Sequence, residues 1–219
     1  MKKLCIAMCL ALVSIGVNAQ KGFSWETNAG MNVAKFNWWD SKIGYHFGVR
    51  GKMSLEKGLY ANAGVFLSAK GASLDFGDLG DEKIHANYLE IPIHVGLQYD
   101  LNDKFRVFGE FGPYFAYGLF GKTKVHEFDF DYDYNPIKEE SSYNTFGDGF
   151  KRFDTGLGFR FGAELSHKYI FAIGYDFGLI NLYKEGENED EYEFGYEEDI
   201  DITGTLKNRN LYISLGYRF

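Results

Sequence analysis

The chain has 219 residues, enough for one closed sheet, and a net charge of −8 with no basic patch, which argues against nucleic acid as a partner. Phenylalanine (21), tyrosine (16) and glycine (27) are abundant while proline is scarce (3), a composition that favours many strands over helices. Both cysteines, Cys5 and Cys9, lie within the first ten residues, so the rest of the chain has no disulfide to lean on.

Residues 1–19 read as a secretory leader. Lys2 and Lys3 give a positive start, Leu4 to Val13 is an apolar run too short to cross a bilayer, and Val17-Asn18-Ala19 suits cleavage before Gln20. Cys9 is a poor lipidation acceptor because bulky Met8 precedes it. Residues 20–219 then form one domain. No later apolar run is long enough for a membrane helix.

Eight segments alternate with a period of two. The first, Phe23 to Val33, sets Phe23, Trp25, Thr27, Ala29, Met31 and Val33 against Ser24, Glu26, Asn28, Gly30 and Asn32. The second, Ile43 to Leu55, sets Tyr45, Phe47 and Val49 against His46, Gly48, Arg50 and Lys52. The third runs Leu59 to Lys70 and the fourth Tyr88 to Tyr99, with Glu90, Pro92 and His94 on the polar face. The fifth, Phe105 to Phe120, carries Arg106 and Glu110 on that face. The sixth, Arg152 to Leu165, is the cleanest: Phe153, Leu157, Phe159 and Phe161 oppose Arg152, Asp154, Gly156, Gly158, Arg160, Gly162 and Glu164. The seventh, Tyr169 to Leu182, brings Asp176. The eighth, Leu211 to Phe219, alternates to the last residue. Pro92 and Pro113 each lack a ladder donor and are expected to mark bulges.

The connections alternate in length. Glu56-Lys57-Gly58, Leu101 to Lys104 and Ser166-His167-Lys168 are short; Lys35 to Lys42, Gly71 to His85, Gly121 to Lys151 and Tyr183 to Lys207 are long. The apolar face is continuous, while the polar face is too small and glycine-rich to coat a soluble surface. In lipid the greasy face points out and the polar face in. The expectation is an all-β, eight-stranded antiparallel up-and-down transmembrane barrel, with short periplasmic turns and long extracellular loops. Phe23, Trp25, Tyr99, Phe105, Tyr169, Tyr217 and Phe219 would form a lower aromatic girdle, and Trp38 and Trp39 fit the upper rim.

The stretch Asn87-Tyr88-Leu89-Glu90-Ile91-Pro92-Ile93, the later Gly112-Pro113-Tyr114 and the terminal Tyr217-Arg218-Phe219 resemble the PorT-like outer-membrane β-barrel family of Bacteroidetes. The resemblance implies an eight-stranded barrel of the OmpX/OmpA-like kind in the outer membrane. It also implies that the terminal aromatics Tyr217 and Phe219 signal to the barrel-assembly machinery. Some members of that family are linked to protein secretion.

The candidate site is the inward charge network: Arg50, Lys52, Glu90, Arg106, Glu110, Arg160, Glu164, Asp176 and Arg218, with Glu26, Lys70, Arg152 and Asp154 beside them. If the lower ends of the fifth and sixth strands are level, Arg106 faces Glu164 and Glu110 faces Arg160. Near balance of sign suggests mutual pairing as a plug, because eight strands leave just enough interior for side chains. The alternative is a small ion path. Inward glycines make room for Tyr60, Phe66, Tyr88, Phe108, Tyr114 and Tyr212 rather than lining a channel.

Loops 121–151 and 183–207 are acidic and alternate acid with aromatic, as in Phe128-Asp129-Phe130-Asp131-Tyr132-Asp133-Tyr134. Alternate carboxylates on a strand stand roughly 7 Å apart, too far to share one ion unaided, so no metal site is expected. These loops suit an extracellular partner through exposed Phe and Tyr. His94, inward near Glu90, has no nucleophile beside it, and no lipid-facing Ser/His pair stands at the upper rim. The expectation is a monomer in contact with outer-membrane lipid, with no catalytic residue and no cofactor. Its role lies in surface interaction or as an accessory to envelope transport. A small channel is the first alternative and a lipid-modifying enzyme the second.

Overall fold

The computed structural model describes residues 22–37, 39–75, 80–130, 136–147, 150–183 and 206–219. Within them nine strands run β1 (Phe23–Phe36), β2 (Asp40–Ser54), β3 (Leu59–Asp75), β4 (Gly80–Asp100), β5 (Phe105–Phe130), β6 (Pro136–Asn144), β7 (Phe153–Leu165), β8 (Tyr169–Gly178) and β9 (Asn208–Arg218). Each pairs antiparallel with its neighbours, β5 passes directly to β7, and β1 pairs with β9. Eight strands therefore close into a barrel, and β6 stands outside it as a ninth strand on the upper half of β5. Among the described residues no helix is long and apolar enough to cross a membrane; the crossing elements here are strands.

The alternation seen in the sequence becomes inside and outside. Along β1, Glu26, Asn28, Asn32, Ala34 and Phe36 are buried while Trp25, Met31 and Val33 are exposed. Ile43, Leu97 and Ile213 are 69%, 62% and 61% exposed, part of an apolar coat that rings the outer face below the strand extensions. In water such a coat would be a large sticky patch; in hydrocarbon it is the solvated surface. At the turn end the girdle rings touch: Phe23 meets Trp25 at 5.1 Å, and Tyr217 meets Tyr169 at 5.6 Å and Phe219 at 5.2 Å.

The inward glycines are filled by rings. A Cβ at Gly174 would lie 2.2 Å from Tyr212 Cζ, and one at Gly162 would lie 2.5 Å from Phe108 Cζ. Gly174→Val is therefore expected to cost about 2 kcal/mol of stability, read as an earlier urea midpoint with the slope unchanged.

Three expectations are corrected. The stretches from Lys35 to Lys42 and Gly71 to His85 are not simply loops: β1 reaches Phe36 and β2 starts at Asp40, while β3 and β4 run on as extensions; within 121–151 the strands continue as a β5–β6 hairpin, as the acid-aromatic alternation there suggests. Their inward residues there (Ala34, Ala72, Ile84, Ala86, Thr123) are mostly too small to stand out in a pattern of large side chains. β6 has no apolar period at all.

The prolines mark no bulges. β3–β4 pairing breaks off at Ala63↔Ile93 and resumes at Phe66↔Glu90 in the same register, so the missing N–H of Pro92 costs a bond and not a residue. β5–β7 pairing runs through Pro113↔Leu157 unchanged, and Tyr114 stays inward. The shift instead falls between Asn87↔Phe120 and Tyr88↔Gly118, leaving Leu119 and Phe120 both exposed. A second shift lies between Ser41 and His46.

Arg152 is not in the lumen. It is exposed before β7, donates to the carbonyls of Gly118 and Leu119, and lies over the Phe146 ring at 5.3 Å.

The leader at 1–19, Trp38, Asp131 to Tyr134 and the acidic run within 184–205 fall outside the described residues.

Candidate functional site

The lumen is packed in three polar layers under an apolar cap. The layer at the turn end centres on Glu164. β7 places it opposite Arg106 of β5, and its carboxylate accepts from Arg106 Nη1 at 3.4 Å, Lys52 Nζ at 3.1 Å and Arg218 Nη1 at 2.7 Å. Arg218 also donates to Glu26 at 2.6 Å, its register partner across the β1–β9 seam. Arg106 forms a fork to exposed Asp100, at 2.6 and 3.2 Å. The Lys52 ammonium sits 4.1 Å from the centre of the Tyr60 ring.

The middle layer centres on Glu110, whose side chain is 1% exposed. Five donors converge on it: Arg50 Nη1, Arg160 Nη1 at 3.1 Å, Tyr60 Oη at 2.7 Å, Asn62 Nδ2 at 2.9 Å and His94 Nδ1 at 3.3 Å. Arg160 comes from the neighbouring strand, opposite Glu110 in register; Arg50 reaches across the lumen from β2. Two guanidiniums, a phenol, an amide and an imidazole on one carboxylate satisfy a charge that would otherwise be costly to bury. Arg160 Nη2 donates onward to Asn28 at 3.1 Å.

In the upper layer Lys70 Nζ lies 2.5 Å from Glu90 and faces the Tyr114 ring at 4.8 Å. Asp154 accepts from Tyr114 Oη and Asn208 Nδ2, both at 3.1 Å, and Asp176 accepts from Asn210 Nδ2 at 2.9 Å. Beside it His46 Nδ1 meets Asn32 Oδ1 at 2.7 Å, and Asn32 Nδ2 donates to Ser68 Oγ at 3.0 Å.

Above these layers the lumen turns apolar. Phe36, Ile84, Tyr88, Phe146, Phe150 and Leu182 are buried together, with Trp39 packed against them. Phe36 stacks on Phe150 at 5.7 Å, and Tyr88 meets the edge of Phe146 at 5.4 Å.

Between the middle and upper layers lies a cavity of about 30 Å³, lined by Asn28, His46, Arg50, Glu90, His94 and Asp176 among others. That is room for one or two waters. Asn28 Nδ2, Arg50 Nε, His94 Nε2, Asn210 Oδ1 and Ser214 Oγ, all from its lining, have no protein partner, so water there would be well held.

The structure thus gathers Arg50, Glu110 and Arg160 into one cluster, and Lys52, Arg106, Glu164 and Arg218 into another. Glu90 and Asp176 stand apart in the upper layer. His94 bonds Glu110 rather than Glu90. The residues that parity alone did not single out are the amides, Asn28, Asn32, Asn62, Asn208 and Asn210; all five sit on inward positions, which is the signal that could have found them. Among the described residues no group of three or more His, Asp or Glu is placed to hold a metal ion.

A closed antiparallel sheet, apolar without and hydrogen-bonded charge within, defines an outer-membrane-type β-barrel. Residues 18–184 match the family model described as "Outer membrane protein beta-barrel domain", and the chain belongs to that family. It is an outer-membrane protein. Solved structures similar to it include Ail, the attachment invasion locus protein of Yersinia pestis (13% identity, 91% of this chain and 100% of that one, TM-score 0.39). Neisserial surface protein A is similar at 10% identity over 91% and 98%, with a TM-score of 0.44. OprG from Pseudomonas aeruginosa is similar at 11% over 91% and 97%, with a TM-score of 0.42. Comparison with curated protein sequences gives no match.

Proposed function

We propose that this protein is a monomeric, non-conducting outer-membrane barrel, exported with a cleaved leader at residues 1–19, whose lumen is a structural plug and whose activity lies at its surface. The observation that carries this reading is the stacked closure of the lumen. Two ion clusters, each organised round a carboxylate that is 1% exposed, lie beneath an apolar cap, and the cavity above the Glu110 cluster, about 30 Å³, has room for no more than a water or two. Ions crossing it would have to break charge-assisted bonds at two levels and then leave through hydrocarbon-like packing.

With the interior occupied, function moves to what the outside presents. The β3–β4 and β5–β6 hairpins stand above the barrel, and the acidic, aromatic segments 121–151 and 183–207 suit an extracellular partner. A role as an accessory to envelope transport or secretion is the companion reading, supported by the resemblance to the PorT-like family of Bacteroidetes. The chain is read as having no catalytic residue and no cofactor.

A small channel is the second reading, favoured by the unpartnered polar atoms around the lumen cavity. Planar-bilayer recording separates the two. Refolded protein, shown to be folded by its heat-dependent gel shift, is expected to give no unitary openings. Steady openings whose size changes in Glu110→Ala would make the lumen a path and sink the plug.

A further inference from the structure

On the outer face of β2 to β5 the apolar coat ends along one line. It stops at Tyr45 and Ile43 on β2, Ala69 on β3, Leu89 on β4, and Leu119 and Phe120 on β5. On β4 Asn87 follows Leu89 on this face, level with Ala69 and Phe120, and accepts from Tyr45 Oη at 3.3 Å; the next row holds Lys42, Gly71, His85 and Lys122. Gly71 faces His85, and His85 faces Lys122, directly across the strands. Lys42 joins this row through two local features. The β2–β3 register shifts between Ser41 and His46, and Gly71 offers no side chain: a Cβ there would be 3.2 Å from Lys42 Cδ. The lysine stem crosses that gap, and its ammonium donates to His85 Nε2 at 2.5 Å.

The next row up, Ser73, Lys83, Lys124 and Ser142, differs in one respect. Its cations have carboxylates: Lys83 pairs with Asp81 at 2.6 Å and Lys124 with Glu140 at 3.3 Å. Among the described residues no carboxylate lies within ion-pair reach of Lys42, His85 or Lys122. Burial and the nearby Lys83 hold the Lys42 ammonium below the usual lysine range; burial, Lys42 and Lys124 lower His85. This is concentrated, uncompensated positive charge on a chain whose net charge is −8. It lies at the rim of the apolar coat, the height at which lipid headgroups begin.

We propose that Lys42, His85 and Lys122 form a binding site for the phosphate of a lipid headgroup in the leaflet at the loop end. The two ammonium groups and the Nδ1–H left on the His85 ring supply the donors. The acyl chains lie along Tyr45, Leu89 and Phe120 beneath. This site does not depend on whether the lumen conducts.

The test uses folded protein in neutral-detergent micelles doped with phosphatidic acid or with phosphatidylcholine, and retained lipid is counted by native mass spectrometry. The wild type is expected to retain phosphatidic acid in preference to phosphatidylcholine. Lys42→Gln/Lys122→Gln is expected to weaken that retention about tenfold or more. Lys83→Gln/Lys124→Gln, which removes the paired row, should leave it nearly unchanged. Each variant is first checked for its heat-dependent gel shift. Should the first double variant fail to fold, Lys122→Gln alone, an exposed change, decides with a several-fold loss. Equal retention of the two lipids, or equal loss in both double variants, overturns the proposal. So does displacement of phosphatidic acid by an equal concentration of inorganic phosphate, which would mark a site for a free anion.

Discussion

Replacing Glu110 with alanine is expected to destabilise the refolded barrel by about 3–5 kcal/mol, measured as a fall in the urea midpoint in detergent or vesicles. The reason is the company the carboxylate keeps. Arg50 and Arg160 are 5% and 3% exposed at the side chain, and both point at it. Without Glu110 they repel each other with little water to screen them, and Tyr60, Asn62 and His94 lose an acceptor. The loss measures uncompensated charge, not the worth of the cluster. Arg50→Met/Glu110→Leu/Arg160→Met removes charge and need together and is expected to be close to neutral, or more stable. If Glu110→Ala leaves the midpoint in place, the middle layer is hydrated rather than packed, and the plug reading weakens with it.

The last three residues divide into two tasks that single substitutions separate. Arg218 ties Glu26 to Glu164, and its backbone N–H donates to Lys168 O at 2.8 Å. Arg218→Ala is expected to cost about 3 kcal/mol, because Glu26 loses its ion-pair partner while Glu164 keeps Lys52 and Arg106. Phe219 is 76% exposed on the lipid side, and its backbone bond to Trp25 O at 3.0 Å does not need the ring. Phe219→Ala, with or without Tyr217→Ala, should therefore leave the urea midpoint of refolded protein unchanged. If the terminal aromatics serve as the assembly signal, the same variants lower the amount of heat-modifiable barrel in the outer membrane of expressing cells several-fold. Normal assembly of Phe219→Ala would remove that role; an unchanged midpoint in Arg218→Ala would show that the turn-end cluster carries little of the fold.

Much of the architecture can be read from parity. A side chain in a strand has two directions, and Phe153 to Glu164 alternates so cleanly that inside and outside follow at once. Arg106 and Glu164, or Glu110 and Arg160, can be set opposite by taking the turn ends of β5 and β7 as level and counting up, and Phe105 does pair with Leu165. Contacts across the lumen are another matter. Arg50 meets Glu110 from a strand that is not its neighbour, and that depends on the stagger accumulated round the whole barrel. The extensions of β3 and β4 above the coat were hidden for a different reason: Ala72 and Ala86 are too small to mark an inward face, and in the described part of β6 Glu140 to Asn144 are exposed on both faces, so no polarity contrast makes a period visible. Arg152 shows the hazard in the other direction: its parity is inward, but it precedes β7 and turns to the backbone at the Leu119–Phe120 bulge.

The seam between β1 and β9 also sets a timetable. Glu26 and Arg218 are 192 positions apart, and until they meet, the strands at both ends expose a full row of unpaired amides and carbonyls. Partial chains therefore have no closed intermediate in which to rest. A polypeptide of this design must remain unfolded until its final strand is available, pay the loop entropy of its most distant pairing near the end, and be shielded from aggregation throughout. Circular permutation, which joins the ends of β9 and β1 and opens the chain at another turn, would move that seam while keeping every strand pairing, and refolding rate rather than stability is the quantity that should respond.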